Sequence, residues 1–511
     1  MRGPHNIWRL IRTGATLERT GAMGVVLDAF RAPRHLRIVL RGLVYPFQWL
    51  GLKGDPTMPP ATRALTALGP AYIKFGQILS TRPDVVGDEL ALQLRVLQDK
   101  LPPFSTEDAK ATVEEELEQP IDQIFSDFSE PVAAASIAQV HKARLAETGE
   151  DVAVKVLRPG IERAFRKDID AFYFAASLIE FLSPASRRLH PTEVIEHFDG
   201  VVQGELDLRL EAAAAGEYAA NTANDAGFFV PRTFFFQSGR RVMTLQWAEG
   251  LAFGDVDDIE AAGHDRKAIG ERVLRLFLRH ALNDGYFHAD MHHGNLKVSG
   301  NGDIIAYDFG IMGRIDGYTR RVYAEILIGF IRKDYRRVAE VHFEAGYVPR
   351  DRDIDAFAQA LRAVAEPIFG MDATQISMGR LLNYLFEVTE RFGMETRTEL
   401  ILLQRTMVVV EGVARTMHPQ INIWEVAQPV VEDYIKDNIG PRALVMDLAS
   451  TARVLGRFGP KLPQLVETIL RTQQAGPQPV PTRVPTRKKA AYIGLGFVAC
   501  TFVVALFQVL S

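Results

Sequence analysis

Four side chains in this sequence could together handle a nucleotide triphosphate. Lys155 ends the run Val152-Ala153-Val154-Lys155. Asp290 and Asn295 lie five apart in His288-Ala289-Asp290-Met291-His292-His293-Gly294-Asn295, and Asp308 opens Asp308-Phe309-Gly310. A cation for phosphates, an acid beside the nucleophile, and an amide and a carboxylate for Mg2+ are the parts that phosphoryl transfer requires. Mg2+ takes hard oxygen ligands, so Asn295 and Asp308 are the metal candidates. Asp290 is left to orient or deprotonate a nucleophile. A zinc site from His288, His292 and His293 is the rival reading, but it leaves Asn295 and Asp308 without a task.

Elements must bring these groups together. Val132 to Ala143 and Asp151 to Leu157 read as a hairpin turning through Glu147-Thr148-Gly149-Glu150, with Lys155 on its second strand. In the register of a phosphate-covering G-x-G-x-x-G-x-V loop stand Ala133, Ala134, Ala135, Ser136, Ile137, Ala138, Gln139 and Val140. Alanine fills all three glycine positions, and its methyl group disfavours positive φ and close approach to phosphate. A start to an alanine-rich helix is the competing reading. Val230 to Gln237 and Arg241 to Trp247 read as a second hairpin. Leu296 to Ser299 and Ile304 to Tyr307, joined by Gly300-Asn301-Gly302-Asp303, read as a third that delivers Asp308. Glu211, followed by four alanines, is the natural partner for Lys155. If that stretch is helical, Asp207 shares its face and Glu205 does not. Lys74 and Gln77, in Lys74-Phe75-Gly76-Gln77, lie on an apolar helical stretch, where a lone lysine is ordinarily solvated.

Residues 60–125 and most of 265–470 read as helical, with Pro70, Pro83, Pro102 and Pro103 as punctuation in the first stretch. After Gly310 only eight residues precede a helical pattern near Thr319, and no A-P-E follows, so little chain is present for a peptide-docking platform. Trp8 and Ile11 lie among Arg2, Arg9, Arg12 and Arg19, open to reading as an interfacial helix, a presequence or a solvated helix.

The 511-residue chain has a net charge of −4, which gives no basic excess for nucleic acid. Its one cysteine, Cys500, excludes an intramolecular disulfide framework. Residues 473–487 carry four prolines and read as an extended linker. Ala490 to Leu510 holds no charge and follows Arg483, Arg487, Lys488 and Lys489. As a helix it spans about 32 Å, close to the hydrocarbon thickness, and the basic flank predicts a cytoplasmic body.

In combination these motifs resemble the UbiB family of atypical protein-kinase-like proteins, also called AarF-domain kinases. The resemblance runs from about residue 60 to 320. It rests on K-x-G-Q at Lys74 to Gln77, the alanine-rich loop, the VAVK lysine, E-x-D at Glu205 and Asp207, and Glu211, Asp290, Asn295 and Asp308. It implies an α+β, protein-kinase-like bilobal fold with a helical N-terminal extension (1–125), an N-lobe (126–250), a helical C-lobe (251–470), a linker (471–489) and a transmembrane helix (490–511).

Further expectations come from the resemblance. ATP and Mg2+ are the cofactors, and the protein supports ubiquinone biosynthesis as an ATPase rather than by phosphorylating proteins. Lys74, held by Glu205 or Asp207, restrains a helix that blocks protein substrates, with Gln77 in the same regulatory motif. Membrane lipid, quinone precursors and other ubiquinone-biosynthesis proteins are the partners. The place is a bacterial inner membrane, with a single-pass anchor. The family loop usually has proline where this chain has His293, and Gln246 stands where the hinge often carries an acid. The alternatives are a nucleotide-switched binding module with negligible turnover and a flavin-dependent hydroxylase. The latter would call for a G-x-G-x-x-G, which does not occur here.

Overall fold

The computed structural model describes residues 5–29, 37–38, 41–42, 44–80, 87–94, 96–97, 102–182, 191–369, 388, 391–394 and 398–439. The expected linker and anchor, 471–511, lie outside these residues. Among the described residues no helix is long and apolar enough to cross a membrane. Two compact units result: Met1–Glu211 with Phe234–Leu245, and Ala212–Thr233 with Gln246–Thr482; the residues at 483–511 are again outside the description.

The first unit is built on a sheet in the order β1 (Phe125–Ala134), β2 (Ala138–Leu145), β3 (Asp151–Leu157), β5 (Val242–Gln246). The period-two pattern of β3 explains the placing of Lys155. Val152, Val154 and Val156 are fully buried on one face, with Ala109 and Val113 of the helix Thr106–Leu117 in the same core. Lys155 therefore projects from the other face. The helix starts where Ser105 caps it by accepting from the Asp108 amide at 3.1 Å.

Two sequence expectations change here. Residues 132–143 are not one strand: β1 ends at Ala134, and a tight turn, in which Ala135 N donates to Ala138 O at 2.8 Å, starts β2. The expected strand over 230–237 is replaced at Phe235–Gln237 by a short 3-10 turn. Its flank still donates from Phe234 N to Thr244 O at 2.9 Å.

Helices make up the remainder of this unit. His5–Thr20 is integrated rather than loose, with Leu10 and Ala15 buried, Arg9 paired with Asp168, and Thr13 hydrogen-bonded to Tyr72 at 2.7 Å. Pro70–Ser80, which carries Lys74, packs by Tyr72 and Phe75 onto Phe172 of Ile161–Leu182, and by Phe75 onto Phe198 of Pro191–Glu205. Gly76 is fixed by packing: a Cβ there would come within 2.5 Å of both Leu65 Cδ1 and Leu97 Cδ1.

The second unit holds a sheet in the order β4 (Phe228–Phe229), β9 (Ile304–Ala306), β8 (Leu296–Val298), β6 (Leu251–Ala252) and a two-stranded pair, β7 (Tyr286–His288) with β10 (Met312–Arg314). The expected hairpin forms as β8 and β9, with Leu296 opposite Ala306 and Val298 opposite Ile304. The unit also holds the helices Arg266–Arg279, Gly317–Ile331, Tyr335–Glu344, Ile354–Phe369, Thr398–Met417 and Ile423–Asn438, which pack on one another. Arg266–Arg279 runs into one wider π-turn, His280–Asp284, and Gly285 stops it at φ +66°. Any side chain there would also meet Ile315 O at 2.6 Å, so this turn into β7 requires glycine.

Candidate functional site

In the first unit the structure joins Lys155 to Glu211. The ammonium lies 2.7 Å and 2.9 Å from the two carboxylate oxygens. Val140 sits directly opposite Lys155 on β2, so the alanine-rich turn leads straight to the lysine's neighbour. Ala133 and Ala134 pair with Val140 and Gln139, and Arg158 N donates to Ile137 O at 2.8 Å. No residue from Ala133 to Val140 has positive φ. The conformation therefore does not call for glycine, and alanine removes backbone freedom that glycine would keep. Ser136 and Ala138 are buried. Gln139 accepts from Phe104 N at 2.9 Å, and its amide donates to His141 Nε2 at 2.9 Å. His141 Nδ1 donates to Ser129 O at 2.8 Å, and burial pulls that imidazole's pKa down.

The acidic motif divides as its geometry dictates. Glu205 takes Lys74, with 2.5 Å between them. Asp207 instead binds Arg209, through Nε at 2.8 Å and the backbone amide at 3.2 Å, and these bonds hold its carboxyl below the usual range. The conditional helix through this motif does not form. Pro191–Glu205 ends, and Leu208–Asn221 begins after Asp207, so Asp207 and Glu211 are not successive turns of one helix. Gln77 donates to Leu97 O at 3.4 Å.

In the second unit, Asn295 and Asp308 flank the β8–β9 hairpin. Tyr307 N donates to Asn295 O at 3.3 Å, so the residue before Asp308 is tied to Asn295. Asn295 Nδ2 donates to Asp290 O at 2.9 Å, which holds the amide by its nitrogen and leaves its side-chain oxygen as the candidate metal ligand. Asp308 Oδ1 accepts from Gly310 N at 3.1 Å. An amide oxygen and a carboxylate at the two ends of one hairpin fit Mg2+.

The loop histidines serve separate purposes. His288 is fully buried and accepts from Asp290 N at Nδ1, 3.1 Å away, leaving Nε2 with the proton. Burial lowers its pKa, against the pull of Asp308 and Asp290. His292 Nδ1 accepts from Gly294 N at 2.9 Å, and His293 Nε2 meets Thr416 Oγ1 at 2.9 Å. These divergent partners do not form a zinc site, and no three His, Cys, Asp or Glu side chains gather as one among the described residues.

His293 begins the 3-10 turn His293–Asn295, while His292 sits at φ −86°, ψ 165°. That is the extended conformation required before proline, and a first helical position accepts proline. Here the Thr416 hydroxyl supplies the restraint.

Sequence reasoning expected helix in this region but did not single out the residues on it that brace this loop. Thr398–Met417 contributes Thr416 and also Thr406, which donates to Ala289 O at 3.1 Å. Arg405 beside it feels the negative charge of Asp290, while burial lowers its pKa. These residues lie more than a hundred positions downstream, and no local spacing signals them. After Gly310 the chain makes only β10, with Met312 opposite His288, before Asp316 caps Gly317–Ile331 by accepting from Thr319 N at 2.7 Å.

Comparison with known proteins shows which family the chain is similar to. The ABC1 atypical kinase-like domain matches residues 96–342, and the UbiB helical domain matches 361–422, which holds the whole of Thr398–Met417. A Marinobacter nauticus protein named Probable protein kinase UbiB is 39% identical over 420 residues, 81% of this chain and 77% of that one. The chain belongs to the UbiB family. A Pseudomonas aeruginosa member with the same name is 38% identical over 86% of this chain and 83% of its own. The solved structure of Rv3197 with erythromycin, from Mycobacterium tuberculosis, is 25% identical and superposes with a TM-score of 0.51, over 70% of this chain and 90% of that one. The fold of this UbiB-family chain is the kinase-like ABC1 fold, mixed in helix and strand.

Proposed function

We propose that this UbiB-family protein is a membrane-anchored, Mg2+-dependent ATPase that supports ubiquinone biosynthesis by coupling ATP turnover to the handling of lipid quinone precursors or of partner enzymes. The observation that carries the reading is the two-oxygen pairing of Lys155 with Glu211. That pairing orients an ammonium for nucleotide phosphates, as in kinases. Lys155 serves the phosphates, with the turn from Ala133 to Ala138 and Val140 beside it. Asn295 and Asp308 hold the metal, and Asp290 orients the attacking group. Mg2+, when bound, neutralises charge on the phosphate oxygens.

Hydrolysis or small-substrate transfer fits better than protein phosphorylation. Too little chain separates Gly310 from the helix at Gly317 to build a peptide platform, and Lys74 is engaged by Glu205, as expected of a restrained regulatory helix. The apolar run Ala490 to Leu510 and its basic flank support an anchor in the bacterial inner membrane with a cytoplasmic body. A nucleotide-switched module with little turnover is the second reading, favoured by the same Lys74–Glu205 restraint.

The test is phosphate release by the purified full chain in liposomes, with and without phenolic quinone precursors. Mg2+-dependent release that rises with precursor supports the enzyme. Nucleotide-dependent thermal stabilisation with no release supports the switch.

A further inference from the structure

Behind the catalytic loop lies a chain of buried polar groups that the proposed chemistry does not use. Tyr218 and His280 are fully buried, and Asp225 nearly so. The tyrosine hydroxyl meets His280 Nδ1 at 2.7 Å, and His280 Nε2 meets Asp225 Oδ2 at 2.7 Å. Arg279 closes the outer end, 3.1 Å from Asp225 Oδ1. Burial pushes the Tyr218 pKa well above its ordinary value, so the hydroxyl keeps its proton. The carboxylate can only accept, so Nε2–H donates to it, and in that neutral tautomer Nδ1 accepts from the hydroxyl. Thr222, also buried, ties this region to its helix by donating to Tyr218 O at 2.8 Å, and Asp225 N donates to Thr222 O at 2.9 Å.

The Tyr218 ring stands at the centre of an aromatic group. Its centroid is 6.4 Å from His288, 6.0 Å from Phe309 and 6.2 Å from Tyr286, and His288 and Phe309 are 5.9 Å apart. His288 braces the amide of Asp290, and Phe309 follows Asp308. A phenylalanine would fill the same volume without burying a hydroxyl. A fully satisfied polar network selects one arrangement of a core, where an apolar core tolerates several.

We propose that Tyr218, His280 and Asp225 are positioning residues. They lock the Tyr218 ring against His288 and Phe309, and through those two side chains set the places of Asp290 and Asp308. This rests on the assignment of Asp290 and Asp308 to Mg-ATP chemistry.

Tyr218→Phe keeps the ring and removes its fixed end. In the full chain in detergent, kcat for phosphate release should fall about tenfold, since small misplacements of catalytic groups are costly. The Mg2+ concentration for half-maximal activity should rise, and the KM for ATP should stay within about twofold, because Lys155 is not held by this chain. Amide exchange should quicken across 286–298 and 304–314 and stay unchanged in 106–117. Tyr218→Phe/His280→Leu/Asp225→Leu, which leaves neither the imidazole nor the carboxylate stranded, should recover melting temperature but not kcat or the Mg2+ requirement. Unchanged kcat, Mg2+ dependence and exchange in Tyr218→Phe would overturn the proposal, as would recovery of kcat together with stability in the triple variant. If the unaltered protein releases no phosphate, the ATPase reading fails, and exchange alone decides: no quickening at 286–298 and 304–314 in Tyr218→Phe overturns the positioning role.

Discussion

Removing either member of the Lys155–Glu211 pair takes from the survivor a partner held at 2.7 Å. The side chains are 22% and 11% exposed, so water screens the survivor only in part. Breaking a fully buried pair costs about 3–5 kcal/mol, and surface pairs about 0–1 kcal/mol. With this intermediate exposure, Lys155→Met or Glu211→Gln alone should cost about 1–3 kcal/mol, discounted for solvent. The double variant strands neither charge and should be more stable than either single, with a coupling of about 1–2 kcal/mol. Denaturant unfolding followed by tryptophan fluorescence measures the cycle, and nucleotide-induced stabilisation is read on the same samples. All three variants should lose the nucleotide response, including the double variant whose fold is recovered. A coupling below about 0.3 kcal/mol, with the single effects simply adding, would refute the pair as a structural contact. A double variant that binds nucleotide normally would refute its role in phosphate recognition.

Other substitutions test separate parts of the account. Gly76→Ala pushes a methyl group to 2.5 Å from Leu65 and Leu97, and should destabilise by about 1–3 kcal/mol in thermal unfolding, relieved in part by Leu97→Ala. His293→Pro should leave activity near normal, because the loop already has the backbone that proline imposes; loss of folding or turnover would show that the Thr416 bond is indispensable. His342 is buried and donates to Val338 O, and burial lowers its pKa from 6.5 to about 4. Its neutral form stabilises the fold fully above pH 6.5, and that contribution is lost as pH falls towards 4 because only the unfolded chain takes up the proton. The loss is about 3 kcal/mol at about 1.4 kcal/mol per pH unit. His342→Asn, compared with the parent across this range, should show a flatter dependence of melting temperature on pH; parallel curves would contradict the assignment.

What the sequence revealed followed from local periodicity. Gly300 to Asp303 between β-branched runs announces the β8–β9 hairpin, and with it the approach of Asp308 to Asn295. The buried valines of β3 leave Lys155 on the opposite face, and an acid before a run of alanines suits the partner helix. The break at Leu206 and Asp207 was not legible, because helix propensity is high on both sides, and Asp207 leaves the helix by bonding Arg209, a choice that spacing does not encode. Thr406 and Thr416, and the chain from Tyr218 to Asp225, depend on contacts across 55 to 123 positions. Only folding brings such pairs together. The alanine turn was legible as a loop, but its freedom from positive φ is a property of the folded backbone.

The proposed function requires that Lys155 and Asp308 are each indispensable to Mg-ATP turnover. Phosphate release by the full chain in liposomes, measured for the parent, Lys155→Met and Asp308→Asn with and without EDTA, tests it most directly. The account predicts release by the parent that EDTA abolishes and that each substitution alone reduces to background. Undiminished release by either variant, or release that persists without divalent metal, would contradict it.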